Sequence, residues 1–558
     1  MLSLDEARAA VTAPGQLFEM DEVDIRGVRT RVWKNALPSL RSVLEVTRLH
    51  GDATFLVYED DRLTFEEHFR HAATFARRLV ERYDVRKGDR VAIAMRNFPE
   101  WSVAFFGAAA AGAVVVPLNA WWTAPELEYG LKDSGAKVLI ADQERVDRLA
   151  DLLPGLGIPT IVARGSGTPP AGVDAYESVL GEVGDTLPDV GIDPDDDATI
   201  FYTSGTTGRS KGALGSQRNI TTNPISLAYA MTVAGLRAGG ALDEVMAPTR
   251  RVTLLSVPFF HATGCHSVLV AGALAGSSIV LMRKWVPERA LELIERERVT
   301  MFGGVPTMAW QVLTSPHFGE YDISSLTAVS YGGAPAPPKL VEKIKELLPE
   351  RIPSNGYGLT ETSSVTTYNS GVNYLSHPDS VGPPVAVCDV KVVDPAGEEL
   401  PVGEVGELLI KGPNVIRGYW NRPDATAQAF SGGWFHSGDL ARVDDEGFVY
   451  IVDRAKDMLI RGGENVYCAE VEAALYEHPA VADAAVIGVP HDELGEEVGA
   501  VVCLRPGTSP ATDELRAFLR TRIAAFKVPA HVWFRDGELP RNPGGKILKT
   551  RLRKEILG

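Results

Sequence analysis

The sequence predicts an α/β fold with a largely parallel sheet, because helical and strand patterns alternate along its first part. Such alternation is typical of parallel sheets with helices packed on their faces. The first predicted elements are a helix over 65–83, a strand over 90–95, a helix from residue 99, and strands over 114–116 and 138–140. Further strands are predicted over 200–202, 253–257, 278–282, 300–303 and 328–331. A smaller α+β unit follows, with strands over 484–489 and 498–504 between helical stretches.

The composition is that of a globular protein and excludes nucleic acid as a partner. The chain has 558 residues, enough for several cores, with 45% apolar and 23% charged residues. It carries 56 basic and 73 acidic residues, a net charge of −17. Because no basic run offsets this charge, the chain is expected to repel nucleic acid.

Cysteine usage and apolar runs predict a cytoplasmic protein without a transmembrane segment. Cys265, Cys388, Cys468 and Cys503 are widely separated, which indicates neither a zinc site nor a disulfide framework. The N-terminus lacks the basic and apolar parts of a signal peptide. The longest apolar run, 103–118, has 16 residues, which is short for a membrane span of about 20. Peripheral membrane contact and a dimer are both compatible with the sequence.

The stretch 200–212, I-F-Y-T-S-G-T-T-G-R-S-K-G, predicts a loop that binds phosphate. Glycines let the backbone turn its amides toward an anion, while hydroxyls and an ammonium add donors and charge. The groups are Thr203, Ser204, Gly205, Thr206, Thr207, Gly208, Lys211 and Gly212. Because Ser210 replaces the glycine before the lysine, this is not a Walker P-loop. The alternative is a flexible linker, against which the preceding strand and the lysine argue.

Three further segments follow predicted strands. His261 lies in P-F-F-H-A-T-G, for which the alternative interpretation is an aromatic core with a satisfied histidine. Gly332 and Gly333, before Ala334, leave room for a flat ring or an acyl chain beside the backbone. The apolar stretch that begins at Phe302 suggests an acid with an apolar tail.

The run N-G-Y-G-L-T-E-T, 355–362, is a sharper signal for nucleotide and metal binding. Tyr357 offers a ring face to adenine, and Gly356 makes room for it. Thr360 can donate to a phosphate, and Glu361 can bind Mg²⁺ directly or through water, since Mg²⁺ needs few carboxylates beside phosphate oxygens.

Two residues further along suit a ribose. Asp439 follows a glycine-containing turn and can accept from both ribose hydroxyls. Arg454 can reach the ribose or the phosphates.

These segments together resemble the adenylate-forming superfamily, which includes acyl-CoA synthetases, firefly-type luciferases and amino-acid adenylation domains. The resemblance rests on T-S-G-T-T-G-R-S-K-G, Y-G-G-A-P, Y-G-L-T-E, the G-D at 438–439 and the terminal G-K-I, in the family's order. It covers nearly the whole chain. It implies a large N-terminal domain of layered α/β sheets, residues 1–455, and a small mobile α+β domain, 456–558.

The resemblance also implies roles for these residues. Beyond the phosphate loop, ATP or AMP would be bound by Gly333, Ala334, Gly356, Tyr357, Thr360, Asp439, Arg454 and Lys546. The acyl pocket would include His261, Gly332 and Gly333, to which we add Phe302. Lys546, Thr360, Glu361 and His261 are the catalytic candidates, with Glu361 as the metal ligand. His261 is expected to position the acid, because a carboxylate that attacks ATP has no proton to lose.

The resemblance also implies a hinge and a catalytic lysine in the C-terminal part. Lys456 matches the hinge position, and the loop Arg461, Gly462, Gly463 and Glu464 resembles the one that turns toward the site for the thioester step. Pro543 and the glycines after it predict a turn that presents Lys546. Lys549 does not match the family's lysine.

The resemblance implies an ATP-dependent carboxylic acid:CoA ligase that uses Mg²⁺. A fatty or aryl acid would be converted to acyl-AMP with release of pyrophosphate, and the acyl group would then pass to coenzyme A with release of AMP. One alternative is an acyl-AMP ligase that loads a carrier protein. Another is a non-catalytic nucleotide-binding regulator, where decay of Glu361, Asp439, Arg454 or Lys546 would be expected. Luciferase-type oxygenation is a fourth hypothesis.

Overall fold

The computed structural model describes residues 2–203, 210–247, 249–332, 338–349, 351–462, 464–542 and 545–558. Predictions for several residues therefore lie outside the described ranges, namely those for Ser204, Gly205, Thr206, Thr207, Gly208, Gly333, Ala334, Gly463, Pro543 and Gly544.

The strands and helices are numbered in chain order. The strands are β1 (Met20–Ile25), β2 (Val28–Trp33), β3 (Thr54–Tyr58), β4 (Asp61–Thr64), β5 (Arg90–Ala94), β6 (Val114–Pro117), β7 (Ala136–Asp142), β8 (Thr160–Ala163), β9 (Val173–Ala175), β10 (Asp197–Tyr202), β11 (Gly212–Ser216), β12 (Val252–Leu255), β13 (Ser278–Leu281), β14 (Met301–Gly304), β15 (Ala328–Gly332), β16 (Ile352–Tyr357), β17 (Thr367–Asn369), β18 (Asp389–Val393), β19 (Gly406–Lys411), β20 (Gly418–Tyr419), β21 (Phe430–Ser431), β22 (Trp434–Val443), β23 (Val449–Arg454), β24 (Leu459–Arg461), β25 (Glu464–Val466), β26 (Val481–His491), β27 (Gly495–Leu504) and β28 (His531–Phe534). The α-helices are α1 (Leu4–Thr12), α2 (Leu40–Thr47), α3 (Phe65–Tyr83), α4 (Pro99–Ala110), α5 (Ala124–Ser134), α6 (Gln143–Leu149), α7 (Leu153–Leu156), α8 (Tyr176–Leu180), α9 (Gln217–Arg237), α10 (Leu242–Met246), α11 (Ala271–Leu274), α12 (Pro287–Arg296), α13 (Pro306–Leu313), α14 (Pro338–Leu347), α15 (Gly371–Ser376), α16 (Pro423–Ala429), α17 (Cys468–Tyr476), α18 (Thr512–Arg520) and α19 (Lys549–Leu557). A π-helix spans Thr263–Val270, and 3₁₀ turns span Arg48–His50, Phe318–Glu320, Thr360–Thr362 and Ala525–Lys527.

Two large sheets confirm the predicted α/β fold. One has the order β20-β11-β10-β6-β5-β7-β8-β9 and the other β17-β16-β15-β14-β12-β13-β3-β4. Their inner strands pair in parallel, and antiparallel pairs occur at β10–β11–β20, β16–β17 and β3–β4. The phosphate-loop stretch follows β10, and the Y-G-L-T-E run begins in β16, so both start at carboxyl ends of strands, where open α/β sheets bind ligands.

Helices α3 and α4 fill the layer between the two sheets. Thr64 caps α3 through a reciprocal bond with Glu67, as expected for a Thr-x-x-Glu start. Gly107 in α4 lies close to α3, since a Cβ built there would be 3.0 Å from the Ala72 carbonyl oxygen. Phe55 of one sheet and Val91 of the other belong to one buried cluster with these helices. Each such side chain contributes about 1.5–3 kcal/mol on full burial.

The C-terminal part is α+β, as predicted. Its sheet has the order β25-β24-β27-β26, with β28 beside β27. Alternate residues of β26 face opposite sides: Ala484 and Val486 pack with α17 and α18, while Ala485 and Ile487 pack with Leu552 of α19. The predicted domain boundary after residue 455 lies in a turn between β23 and β24. Among the described residues, no helix combines the length and apolar character that crossing a bilayer requires.

Candidate active site

Asp439 and Arg454 face each other across β22 and β23 in an antiparallel sheet that also contains β18, β19 and β21. The Arg454 Nε atom lies 3.0 Å from Asp439 Oδ1. The Tyr357 hydroxyl donates to Asp439 Oδ2 at 2.7 Å. Asp439 is 3% exposed, and burial together with this carboxylate raises the pKa of Tyr357 well above its ordinary value. Tyr357 therefore remains a donor, and both Asp439 oxygens are held in place.

The local geometry at Asp439 corrects one prediction. The residue does not follow a turn but lies within β22, where the pairing with β19 is interrupted. Gly438 has a φ of +67°, and the Ser437 hydroxyl donates to the Leu408 carbonyl at 2.6 Å. The glycine therefore serves a β-bulge, which turns a side chain without ending a strand.

The turn that carries Lys546 contacts the N-terminal part of the chain. The Asn542 and Lys546 backbones bond to each other at 2.8 Å, and the Lys546 amide also donates to Asn542 Oδ1 at 2.8 Å. A Cβ built on Gly545 would be 2.7 Å from Val305 Cγ2, directly before α13. The Arg505 guanidinium lies 5.7 Å from the ring centroid of Trp310 in the same helix.

Lys546 is within electrostatic range of the Asp439–Arg454 pair. Burial, and then repulsion from Arg454, lowers the pKa of Lys546 to about 8, although Asp439 and Asp457 oppose the shift. Desolvation and Arg454 also lower the pKa of Lys456, which Asp457, Asp439 and Glu361 oppose. The predicted hinge residue therefore contributes positive charge to the same cluster, a contribution that the sequence did not indicate.

Glu361 lies in a tight 3₁₀ turn after β16. A Cβ built on Gly358 would be 1.3 Å from the Ser364 carbonyl oxygen, so only glycine fits there. The loop is closed by bonds such as that from the Ser363 amide to the Thr360 carbonyl at 3.1 Å. Thr360 and Glu361 are thereby held on a compact backbone.

Tyr419 joins Glu361 to Lys211 and was not predicted from the sequence. Its hydroxyl donates to Glu361 Oε1 at 2.7 Å. The Lys211 ammonium lies 5.0 Å from the centroid of its ring. Burial and Glu361 raise the pKa of Tyr419, so the phenol remains protonated. Tyr419 reaches this position because β20 pairs with β11, and no local sequence pattern predicts that pairing.

The predicted acyl-side residues occupy different environments. His261 has a buried Nε2 without a hydrogen-bond partner among the described residues, and burial lowers its pKa to about 4. Its imidazole is therefore neutral near pH 7. Phe302 instead packs in the core against Trp285, at 5.9 Å between ring centroids, and is 2% exposed. Its side chain does not line an open pocket.

The space at Gly332 also differs from the expectation. Gly332 and Gly356 are direct neighbours on β15 and β16. A Cβ on Gly332 would be 2.6 Å from the Gly356 carbonyl oxygen. The absence of a side chain at residue 332 is therefore required by the close approach of the adjacent strand, whether or not a ligand binds there.

The hairpin of β24 and β25 carries Arg461, Gly462 and Glu464. Arg461 pairs with Glu497 of β27, which is 9% exposed. The Gly462 amide donates to the Leu494 carbonyl at 2.9 Å, at a φ of +58°. These contacts all lie within the C-terminal part, whereas Lys546 interacts electrostatically with Asp439 and Arg454.

Comparisons with known proteins agree with this geometry. The chain matches the AMP-binding enzyme family over residues 44–420 and the AMP-binding enzyme C-terminal domain over residues 470–546. A feruloyl-CoA synthase from Amycolatopsis sp is 39% identical over 510 residues, which are 91% of this chain and 97% of that protein. A long-chain-fatty-acid–CoA ligase from Bacillus subtilis (strain 168) is 35% identical over 530 residues, 90% of this chain and 92% of that protein.

A solved structure matches the fold over both parts of the chain. It is the o-succinylbenzoate CoA synthetase from Bacillus subtilis in complex with its acyl-adenylate intermediate, with a TM-score of 0.78 and 30% identity. The match covers 93% of this chain and 98% of that one.

The chain belongs to the AMP-binding enzymes, the adenylate-forming superfamily that its motifs predicted. Within that class it is an AMP-forming acid:CoA ligase, with ATP and coenzyme A as substrates and Mg²⁺ as the metal ion typical of the family.

Proposed function

We propose that this ligase activates an aryl carboxylic acid as its acyl-adenylate and transfers it to coenzyme A. The observation that carries the assignment of the active site is that Lys546, from the C-terminal part, lies within electrostatic range of Arg454 and the buried Asp439. The similarity to a feruloyl-CoA synthase supports an aryl acid in preference to a fatty acid.

The nucleotide would be held from the ribose outward. Asp439 is oriented by Arg454 and Tyr357, so its carboxylate can accept from ribose hydroxyls without reorganising. Asp439 Oδ2 would accept a ribose hydroxyl beside the Tyr357 hydroxyl, and the Tyr357 ring would form a wall for adenine. Lys211 and the loop before it would face the phosphates.

Lys546 would overcome the repulsion between the two reactants. A carboxylate that attacks the α-phosphate brings two anions together in a cleft of low dielectric constant. With a pKa of about 8, Lys546 is largely protonated at pH 7. Bound anions would raise this pKa back toward the ordinary value of a lysine, and the ammonium would bridge the carboxylate and an α-phosphate oxygen.

The residues present fit a magnesium ion carried by the nucleotide. Glu361 has one oxygen held by Tyr419 and a second oxygen for a ligand role, and Mg²⁺ takes few carboxylates beside phosphate oxygens. When bound, the ion would neutralise phosphate charge. Thr360, on the same turn, would donate to the α-phosphate.

The second half-reaction would require the C-terminal domain, 456–558, to rotate about Lys456. Support comes from the turn at 455–457, in which the Asp457 amide donates to the Arg454 carbonyl at 2.9 Å. Changes in a few backbone dihedral angles of such a turn are enough to rotate a domain. Rotation would withdraw Lys546 and bring the loop from Arg461 to Glu464 toward the acyl-adenylate. His261 would position the acid as a neutral group.

The compartment we propose is the cytoplasm. All four cysteines are free and buried, which suits a reducing environment.

A pyrophosphate-release screen tests the function. Purified enzyme is offered cinnamates, benzoates and fatty acids of increasing length, each with and without coenzyme A. We expect pyrophosphate release with an aryl acid, and AMP release that depends on coenzyme A. Turnover with fatty acids only would contradict the substrate class, and AMP release that requires a carrier protein instead of coenzyme A would contradict the acceptor.

A further inference from the structure

Tyr419 lies between the proposed metal carboxylate and the lysine beside the phosphate loop. We propose that Tyr419 is a positioning residue that orients Glu361 toward a nucleotide-bound Mg²⁺ and keeps Lys211 beside the phosphates. The inference rests on the proposed roles of Glu361 and Lys211 in adenylation. It adds a residue that belongs to none of the sequence motifs described above.

The first contact fixes the direction of the carboxylate. The Tyr419 hydroxyl donates to Glu361 Oε1 at 2.7 Å, and the Ile416 amide donates to the Glu361 carbonyl at 2.9 Å. A carboxylate with one oxygen held presents the other in a defined direction. Mg²⁺ demands a nearly ideal octahedron, so it gains from a ligand that is oriented in advance.

The second contact fixes the ammonium. Lys211 Nζ lies 5.0 Å from the Tyr419 ring centroid, within the range of a cation–π interaction. One side chain thus holds an anionic group through its hydroxyl and a cationic group through its ring.

Tyr419 is itself held rigidly. Residues 418 and 419 form β20, in which Tyr419 pairs with Ala213 of β11. Its amide donates to Thr426 Oγ1 at 2.9 Å, and the next amide donates to the Gly212 carbonyl at 2.7 Å. The strand that follows the phosphate loop is thereby tied to the loop that carries Glu361.

Two substitutions separate the two contacts. Tyr419→Phe removes the hydroxyl and keeps the ring, whereas Tyr419→Leu removes both. Binding of Mn²⁺, as a probe for Mg²⁺, is measured by electron paramagnetic resonance with α,β-methylene-ATP present. Affinity for the same analogue at saturating Mg²⁺ is measured by calorimetry. Neither readout requires turnover.

We expect Tyr419→Phe to weaken Mn²⁺ binding by roughly 10- to 100-fold, the usual effect of losing a partner of a metal ligand. Its affinity for the analogue at saturating Mg²⁺ should stay within about twofold of wild type, because the cation–π contact remains. Tyr419→Leu should weaken both. Tyr83→Phe is the matched control, since it removes a hydrogen bond of 2.7 Å to Asp174 in another part of the fold.

Wild-type Mn²⁺ affinity in either variant, once a thermal melt shows that it is folded, would overturn the proposal. In that case wild-type enzyme would still release pyrophosphate, and the proposed function would stand. A wild-type enzyme that forms no acyl-adenylate with any acid would instead refute the proposed function.

Discussion

The terminal turn with Lys546 and the hairpin with Arg461 belong to the same C-terminal part but hold their cations in opposite ways. Lys546 is partly buried and is repelled by Arg454, and its pKa is lowered to about 8. Arg461 is neutralised by the buried Glu497. A cation under repulsion binds an arriving anion without first breaking an ion pair, whereas a paired cation must be released. The difference agrees with the proposed roles, in which Lys546 acts in adenylation and Arg461 in the thioester step.

The largest expected effect is that of Lys546→Ala. Loss of this ammonium should lower the rate of pyrophosphate release by roughly 100- to 1,000-fold, as for other groups that stabilise a developing charge. Conversion of a supplied acyl-adenylate with coenzyme A should stay near the wild-type rate. Lys554→Ala, an exposed lysine of the last helix, is the control. Equal losses in both half-reactions would show that the two cations do not divide the work.

Arg461→Ala should give the converse pattern. We expect the thioester half-reaction to slow by roughly 10- to 100-fold, since misplacement of a loop near reacting groups has effects of this size. Pyrophosphate release in a single turnover should be unchanged. Arg520→Ala, an exposed arginine of α18, is the matched control. A slower adenylation step in Arg461→Ala would place this residue in the first half-reaction.

The pH dependence should also separate the two cations. Lys546 acts in its protonated form, so with a pKa of about 8 the kcat/KM for pyrophosphate release should fall roughly tenfold from pH 7 to pH 9. The thioester half-reaction with supplied acyl-adenylate should rise over this range, because the thiol of coenzyme A ionises. Both half-reactions are followed by initial rates in one buffer series. A decline of both rates between pH 7 and pH 9 would contradict the assignment of the pH dependence to Lys546.

The smallest expected effect is that of Gly545→Ala. The residue has a φ of +81° and lies against Val305. The substitution should cost about 1 kcal/mol in docking the turn, which corresponds to roughly fivefold in pyrophosphate release. The thioester half-reaction should be unaffected. Gly537→Ala tests the conformational cost alone, since it has a φ of +87° with open space around it. Equal effects of both variants would remove the Val305 contact from the explanation.

Much of the fold was predictable because it is encoded locally. The helix over 65–83 begins at a capping threonine and was predicted at the bounds observed for α3. Strands such as β13 and β15 are short apolar runs next to glycine or proline. The phosphate-loop candidates were predicted for the same reason, since phosphate binding requires glycines, hydroxyls and a positive charge at close local spacing. The ribose candidates, Asp439 and Arg454, were predicted from the family resemblance.

What the sequence missed depends on pairing between distant segments. The bulge at Gly438 resembles a turn until β19 is placed opposite it. The side of the sheet that Phe302 faces is decided by the helices that cover it. Tyr419 acquires its contacts only because β20 adds to β11 from far along the chain. None of these arrangements produces a periodicity or a composition in the sequence from which it could be predicted.

Arg454 is the last residue of β23, and its carbonyl accepts the Asp457 amide at 2.9 Å. The side chain that clamps Asp439 and the peptide that starts the C-terminal part therefore share one residue. If a bound ribose favours one orientation of the C-terminal domain, thermodynamic linkage requires that this orientation raise the affinity for AMP by the same factor. The release of AMP and the rotation of the C-terminal domain back to its first orientation would then be coupled steps.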